Sequence, residues 1–363
     1  MKKRILSCFM ALALCLTLLP ATAQAADDSH DSHCICGKTH TAIGDHSDGD
    51  QNAFANAKWL KSQAIGRDYS LSIAEGETQS GKTLEKDSSS KCWKLPAGTY
   101  YLSGNSTLST NYPIKIENNV TICLNGKWIQ NVGKDNGPVF EVPTGCVLTL
   151  TDCKSDGRIK CDSSSGVYVS GGTLNLYSGQ IANSKGQKGT DSNNKYGGGV
   201  YVNSGFFNMY GGTITGNDAD YGGGVYVKNG TFNMYGGTIK NNNSNGGSGA
   251  GVYVEASGNF IMKNTASVTG NTIGYGSTAG YGGGVYVNGG TFEMHNNASV
   301  TNNIANNSSG SFGGGVYVNS GTFNMTDGTI GGATEGAANT ATNDGGGVYV
   351  KDGKFVMNGP TTS

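Results

Sequence analysis

Proline is scarce, at 6 in 363 residues, and only 14% of the residues are charged. These two figures exclude a collagen-like chain and a polyelectrolyte tail. No excess of basic residues exists: 25 Lys and Arg face 26 Asp and Glu. Once the three cations of the first 25 residues are set aside, 22 remain against the 26 acids, a net charge of −4. A faintly acidic chain without basic clusters is not built to hold nucleic acid. Beyond residue 25 no apolar run approaches membrane-spanning length. No arginine follows Arg158, and the calcium-binding pattern Gly-Gly-x-Gly-x-Asp does not occur. What is abundant is glycine, at 60 residues, and tyrosine, at 18 against 3 Trp and 11 Phe. The aromatics are sufficient for a buried core.

The ends of the chain are distinct from its middle. Lys2-Lys3-Arg4, the apolar run Ile5 to Leu19 and Ala23-Gln24-Ala25 have the order of a secretory signal peptide, cut after Ala25. An exported protein, secreted or held at the cell surface, is expected, and no lipidation motif accompanies the signal. Residues 26–91 read as a His/Cys-rich leader, with a short capping helix over Gln51 to Gln63 and a linker over 64–91. At the other end Pro360-Thr361-Thr362-Ser363 interrupts the pattern without a sorting motif, so a natural end and a fragment of a longer protein both fit.

The middle is a repeat. Val-Tyr-Val recurs seven times, starting at Val167, Val200, Val225, Val252, Val285, Val316 and Val348. Six copies follow Gly-Gly-Gly or Gly249-Ala250-Gly251. A second segment follows each, as in Leu174-Asn175-Leu176, Phe207-Asn208-Met209 and Phe292-Glu293-Met294, and then a lone aliphatic such as Ile181, Ile214 or Val268. Each unit thus holds three short alternating segments with Gly-rich turns between them. Alternation puts Val, Phe and Met on one face and Tyr and Asn on the other. Segments this short cannot be helices, and stacking them copy on copy predicts an all-β, single-stranded parallel β-helix solenoid with three short strands per coil. Seven coils over residues 166–363 would make a rod of roughly 30 Å. Residues 92–165 lack the Gly signature but carry strand-like runs (Thr99-Leu102, Ile114-Ile116, Val120-Leu124, Val139-Val142, Val147-Leu150) and read as irregular first coils and an N-terminal cap. Unit length varies between the lone aliphatic and the next Gly-Gly-Gly, which predicts one loop-covered face.

Gly-Gly-Gly-Val-Tyr-Val with Thr-Phe-Asn-Met and Gly-Gly-Thr-Ile resembles the right-handed β-helix, pectin-lyase-like repeats of bacterial secreted and surface proteins. It is distantly similar to the repeats of polymorphic outer-membrane proteins, whose Phe-x-x-Asn appears here only at Phe355 to Asn358. His33-Cys34-Ile35-Cys36-Gly37 with His40 resembles the His/Cys segments of large surface proteins of gut Firmicutes. The resemblance covers roughly residues 30–46 and 92–358. It implies the fold and the right-handed sense. It leaves activity open, because β-helices serve as enzymes, adhesins and spikes alike.

Four groups of residues invite a function. His33, Cys34, Cys36, His40 and His46, with His30 beside them, offer the ligands that zinc prefers, although Cys-x-Cys is tighter than the usual spacing. A structural zinc site, an unstructured tail and oxidised cysteines all fit, and no other cofactor is expected. Cys92, Cys123, Cys146, Cys153 and Cys161 lie in the capping coils, where Cys123 and Cys146 read as buried thiols and one disulfide of open connectivity fits. Tyr168, Tyr201, Tyr226, Tyr253, Tyr286, Tyr317 and Tyr349 should point outward as a ladder, either as plain strand formers or as an exposed strip contacting sugars. On the second reading, replacing Tyr226, Tyr253 and Tyr286 with Ser would abolish binding and leave the rod folded. Asn183, Asn217, Asn241, Asn271 and Asn302 suggest a structural ladder or left-handed corners.

A catalytic constellation is not complete. Asp218 and Asp220 form the one tight acidic pair of the repeats, and Arg158-Ile159-Lys160 matches a tripeptide of polygalacturonase-like enzymes without its carboxylate and His partners. His295 stands alone. The reading is a non-catalytic adhesin or stalk contacting extracellular polysaccharide, mucin or another cell-surface ligand. A pectin-lyase-type lyase or hydrolase and a purely structural spacer are the alternatives.

Overall fold

A segment such as Val225–Val227 or Thr231–Met234 cannot hold itself extended; it becomes a strand when like segments lie beside it. The computed structural model describes residues 69–70, 85–87, 89, 91–102, 105–108, 112–133, 137–188, 194–274, 279–307, 310–332 and 334–359. They form a parallel β-solenoid of three sheets, with 18, 9 and 9 strands, and a single 3-10 turn at Glu335–Ala337. The register is that of the repeat. Val200 pairs with Val225, Val225 with Val252 and Val252 with Val285. Phe207, Phe232, Phe260, Phe292 and Phe323 follow one another in the same way, as do Ile181, Ile214, Ile239, Val268 and Val300. The all-β solenoid expected from the alternation is what the chain adopts. The signal segment, the leader with His33, Cys34, Cys36, His40 and His46, and the helix over Gln51 to Gln63 lie outside the described residues.

The sheets divide the coil differently from the expectation. The first two segments of each unit share the largest sheet, and in Val167–Leu176, Val200–Met209, Val285–Met294 and Val316–Met325 they run on as one ribbon. A glycine makes the bend: Gly205 sits at φ 85°, and a Cβ there would lie 2.2 Å from the carbonyl oxygen of Gly172 in the preceding coil. The third sheet comes from the variable segments, which were expected to be loops. Asp218–Tyr221, Asn243–Ser248 and Thr272–Ile273 pair in parallel from coil to coil, with Ile304–Ala305 and Thr340–Ala341 beyond them. The pairing satisfies peptide groups that stacking would otherwise leave without partners. Gly280–Tyr281 belongs to this narrow sheet as well.

Inside, Val, Phe, Met and Ile form unbroken columns with no exposed surface from Val200 to Val300. The phenyl rings from Phe207 to Phe355 stack 4.5 to 4.9 Å apart and within 13° of parallel. Burying one such ring stabilises by about 1.5–3 kcal/mol.

The asparagines divide between two rows. Asn183, Asn241 and Asn302 take left-handed backbone, φ 57°, 53° and 53°, where other coils place Gly216 and Gly270. The following residues turn inward as the ladder Asn217, Asn242, Asn271, Asn303 and Asn339. Each amide Nδ2 donates to the next Oδ1 at 3.0, 2.9, 2.9 and 3.1 Å, and each also donates to a backbone carbonyl. Of the five asparagines singled out by sequence, Asn217 and Asn271 belong to this ladder.

Residues 92–161 enter the same sheets in register: Ile122 pairs with Leu150, Leu150 with Leu176, and Ile129 with Ile159. Leu and Ile line these coils in place of Phe and Met, and they are irregular beside the repeat, since among the described residues the third sheet begins only at Gln187–Lys188 and Glu85–Asp87 pairs antiparallel with Cys92–Leu95. Strands at Trp128–Asn131 and Arg158–Cys161, which the sequence reading did not include, complete the second sheet there. Among the described residues no helix is long and apolar enough to cross a membrane.

Candidate functional site

The seven Val-Tyr-Val tyrosines leave the main core as alternation requires, and their rings pack one against the next, some stacked and some tilted or edge-on. Tyr226 and Tyr253 lie 4.9 Å apart, Tyr253 and Tyr286 4.8 Å, and Tyr317 and Tyr349 5.2 Å. The expected exposure is not there. Tyr201, Tyr226, Tyr253, Tyr286 and Tyr317 are only 4–9% exposed and form a second apolar cluster with Tyr168 and Tyr349 at its ends. The cover is a second aromatic row, Tyr196, Tyr221, Tyr281 and Phe312, each standing just before a Gly-Gly-Gly. These rings lean across to the tyrosine of the next coil, 4.9 Å for Tyr196–Tyr226, 5.6 Å for Tyr221–Tyr253, 4.8 Å for Tyr281–Tyr317 and 4.9 Å for Phe312–Tyr349. The glycines allow it, because Gly198 passes so close that a Cβ would meet the carbonyl oxygen of Gly223 at 2.1 Å. The aromatic that recurs before the glycines is the sequence feature that accompanies this cover, and the alternation by itself gives no sign of it. Replacing Tyr226, Tyr253 and Tyr286 together now removes core, and the folded rod expected for that variant no longer follows.

Burial raises the phenols of this row: Tyr317 to about 12, and Tyr201, Tyr253 and Tyr286 higher still. The hydroxyl of Tyr226 donates to the Glu255 carboxylate, and Asn288 Nδ2 donates to the Tyr253 hydroxyl at 2.9 Å. Burial among the rings raises Glu255 as well.

A different tyrosine row reaches the surface. Tyr177, Tyr210 and Tyr235 follow the second segment of three successive coils and stack at 4.6 and 5.2 Å, half-buried. Beside them runs a row of amides: Asn208 donates to Asn175 at 3.0 Å and Asn233 to Asn208 at 2.9 Å. Phe206 stands 52% exposed on the same face. The stacked rings turn their faces to each other, so an outside partner meets ring edges, phenolic hydroxyls and amides, repeated once per coil. Along the row the next positions are Lys263, His295 and Thr326. His295 Nδ1 contacts the Thr326 hydroxyl at 2.7 Å and its Nε2 lies 3.3 Å from Glu293. Lys263, His295, Thr326, Asp327 and Asn358 line a shallow depression of about 920 Å³. His295 is therefore not isolated; it sits in a polar cluster on the same face as the outer tyrosines.

The acids weighed for catalysis have other partners. Asp218 receives Lys185 Nζ at 3.2 Å and Asn243 Nδ2 at 3.0 Å, and Asp220 accepts the backbone N–H of Lys195 at 2.8 Å. Both lie in the third sheet, whereas Arg158 lies in the second, between Trp128 and Gln180. The fold does not bring Arg158 to the acidic pair. Asp152 is the one buried carboxylate among the described residues. It accepts the backbone N–H groups of Gly126 and Gly157 at 2.7 and 2.6 Å and so closes a turn. The described residues hold no cluster of three His, Cys, Asp or Glu fit for a metal ion.

Set against protein-family models, curated proteins and solved structures, the chain matches none of them. Fold and surface chemistry carry the functional argument. A β-solenoid of this kind is compatible with a structural or surface-contact role.

Proposed function

We propose that the protein is a secreted or surface-displayed, non-catalytic stalk that contacts extracellular polysaccharide, mucin or a similar cell-surface glycan. The observation that carries this reading is the outer row Tyr177, Tyr210 and Tyr235 with its amide neighbours Asn175, Asn208 and Asn233. It repeats hydroxyl and amide groups once per coil over three successive coils, a periodic array that suits a polymer of repeating sugars. Recognition on such a face works through hydrogen bonds to sugar hydroxyls and contact with ring edges.

The test incubates residues 26–363 with insoluble plant, mucin and cell-wall polysaccharides and follows both retention and release of soluble sugar. Retention without release is expected, with at least tenfold weaker retention when Tyr177, Tyr210 and Tyr235 are all replaced by Ser. Equal retention by that variant would overturn the assignment of the contact row. Release of sugar would replace the stalk by an enzyme, and no retention at all would leave a spacer.

A further inference from the structure

The five described cysteines all lie in the N-terminal coils, and two of them meet across one coil step. Cys123 ends the strand Asn119–Cys123, where it pairs in register with Thr151; Cys153 follows two residues later in the turn. Their sulfur atoms stand 3.5 Å apart, although the residues are 30 apart in sequence. Cys123 is fully buried and Cys153 is exposed.

We propose that Cys123 and Cys153 form a disulfide that staples these two successive coils. A disulfide needs its sulfurs about 2.05 Å apart. The paired strands already hold the two backbones one coil apart, so side-chain rotation supplies the remaining approach. Two other thiols are engaged elsewhere. Cys161 Sγ is buried and donates to the carbonyl of Gly137 at 3.3 Å, and Cys146 Sγ accepts the N–H of Asn118 at 3.3 Å.

The division between an exposed and a buried thiol sets the order of the chemistry. The Cys153 thiolate attacks a low-molecular-weight disulfide and releases one small thiol, leaving a mixed disulfide. Cys123 then gives its proton to solvent and attacks the Cys153 sulfur, expelling the second small thiol. The protein loses two protons and two electrons, and the small disulfide gains them as two thiols. The Cys123 proton is held first by its hydrogen bond to Cys153 and then by burial. These coils contain neither the phenylalanine column nor the asparagine ladder, so a covalent link here supplies the coil-to-coil attachment that the ladders supply further along.

The full chain, equilibrated with oxidised glutathione and digested without reduction, should yield a peptide joining residues 123 and 153. Reductant should lower the unfolding temperature of the wild type, and Cys153→Ser, a change at an exposed site, should reproduce that lower value and lose sensitivity to reductant. Cys146→Ser should retain the link. The proposal is overturned if Cys123 is still alkylated after the oxidised protein is unfolded. It is overturned equally if Cys153 remains glutathionylated or links to Cys146.

Discussion

The two tyrosine rows, one in the largest sheet and one just past its strands, have the same residue and the same coil spacing but different cover. The Val-Tyr-Val row packs beneath Tyr196, Tyr221, Tyr281 and Phe312 and is nearly inaccessible, whereas Tyr177, Tyr210 and Tyr235 stack half-buried. Facing away from the main core is therefore not the same as facing water. A residue on the outer side of a strand is exposed only if the neighbouring corner sends nothing back across it, and the aromatic before each glycine run decides that.

The largest break in the comparison comes from Tyr253→Ser. It removes a ring packed between Tyr226 and Tyr286 and covered by Tyr221, and should cost about 3 kcal/mol in urea unfolding, within the range for deleting a buried aromatic. Tyr210→Ser removes two stacking contacts on the open face and should cost about 1 kcal/mol, while weakening glycan retention. A loss for Tyr210→Ser equal to that for Tyr253→Ser would mean that the two rows are equally structural.

Alkali gives a smaller effect, which the outer row shares in part because burial also raises Tyr210, and Tyr177 to about 12. The buried phenols hold their protons above the ordinary value of 10.0, so their contribution to stability is complete below pH 10 and is lost as pH rises through the folded-state values. Phenolate absorbance of the Val-Tyr-Val row should appear together with loss of the β circular-dichroism signal, and ionisation before unfolding would contradict their burial. The smallest effect is expected of Glu255→Gln. Its carboxylate raises Tyr201 behind burial and Tyr168, so the variant should shift the onset of that titration slightly to lower pH without changing the fold.

Much of this architecture was legible in the spacing of a few residues. Val at both ends of Val-Tyr-Val, Phe and Met two apart and a lone Ile specify an interior lining, and their recurrence specifies parallel stacking. The asparagine rows were legible only as a type. Asn183 and Asn217 look alike in a sequence, yet one lies at a left-handed corner and the other turns inward, because a single residue of offset decides which side of the turn each occupies. The third sheet was not legible at all. Its strands, such as Asp218–Tyr221 and Asn243–Ser248, carry no apolar alternation and are strands because a neighbour in the adjacent coil offers backbone partners.

By itself the sequence determined the all-β class, the solenoid, its interior columns and the register, since each depends on local alternation and a repeat that any stacked copy reproduces. Tertiary structure alone decided which tyrosines are covered, which asparagine of each pair is buried, and that Cys123 meets Cys153. These outcomes depend on contacts between residues of different coils, such as those 25 to 32 apart along the chain, whose approach is set by corner geometry rather than by either residue's own preference.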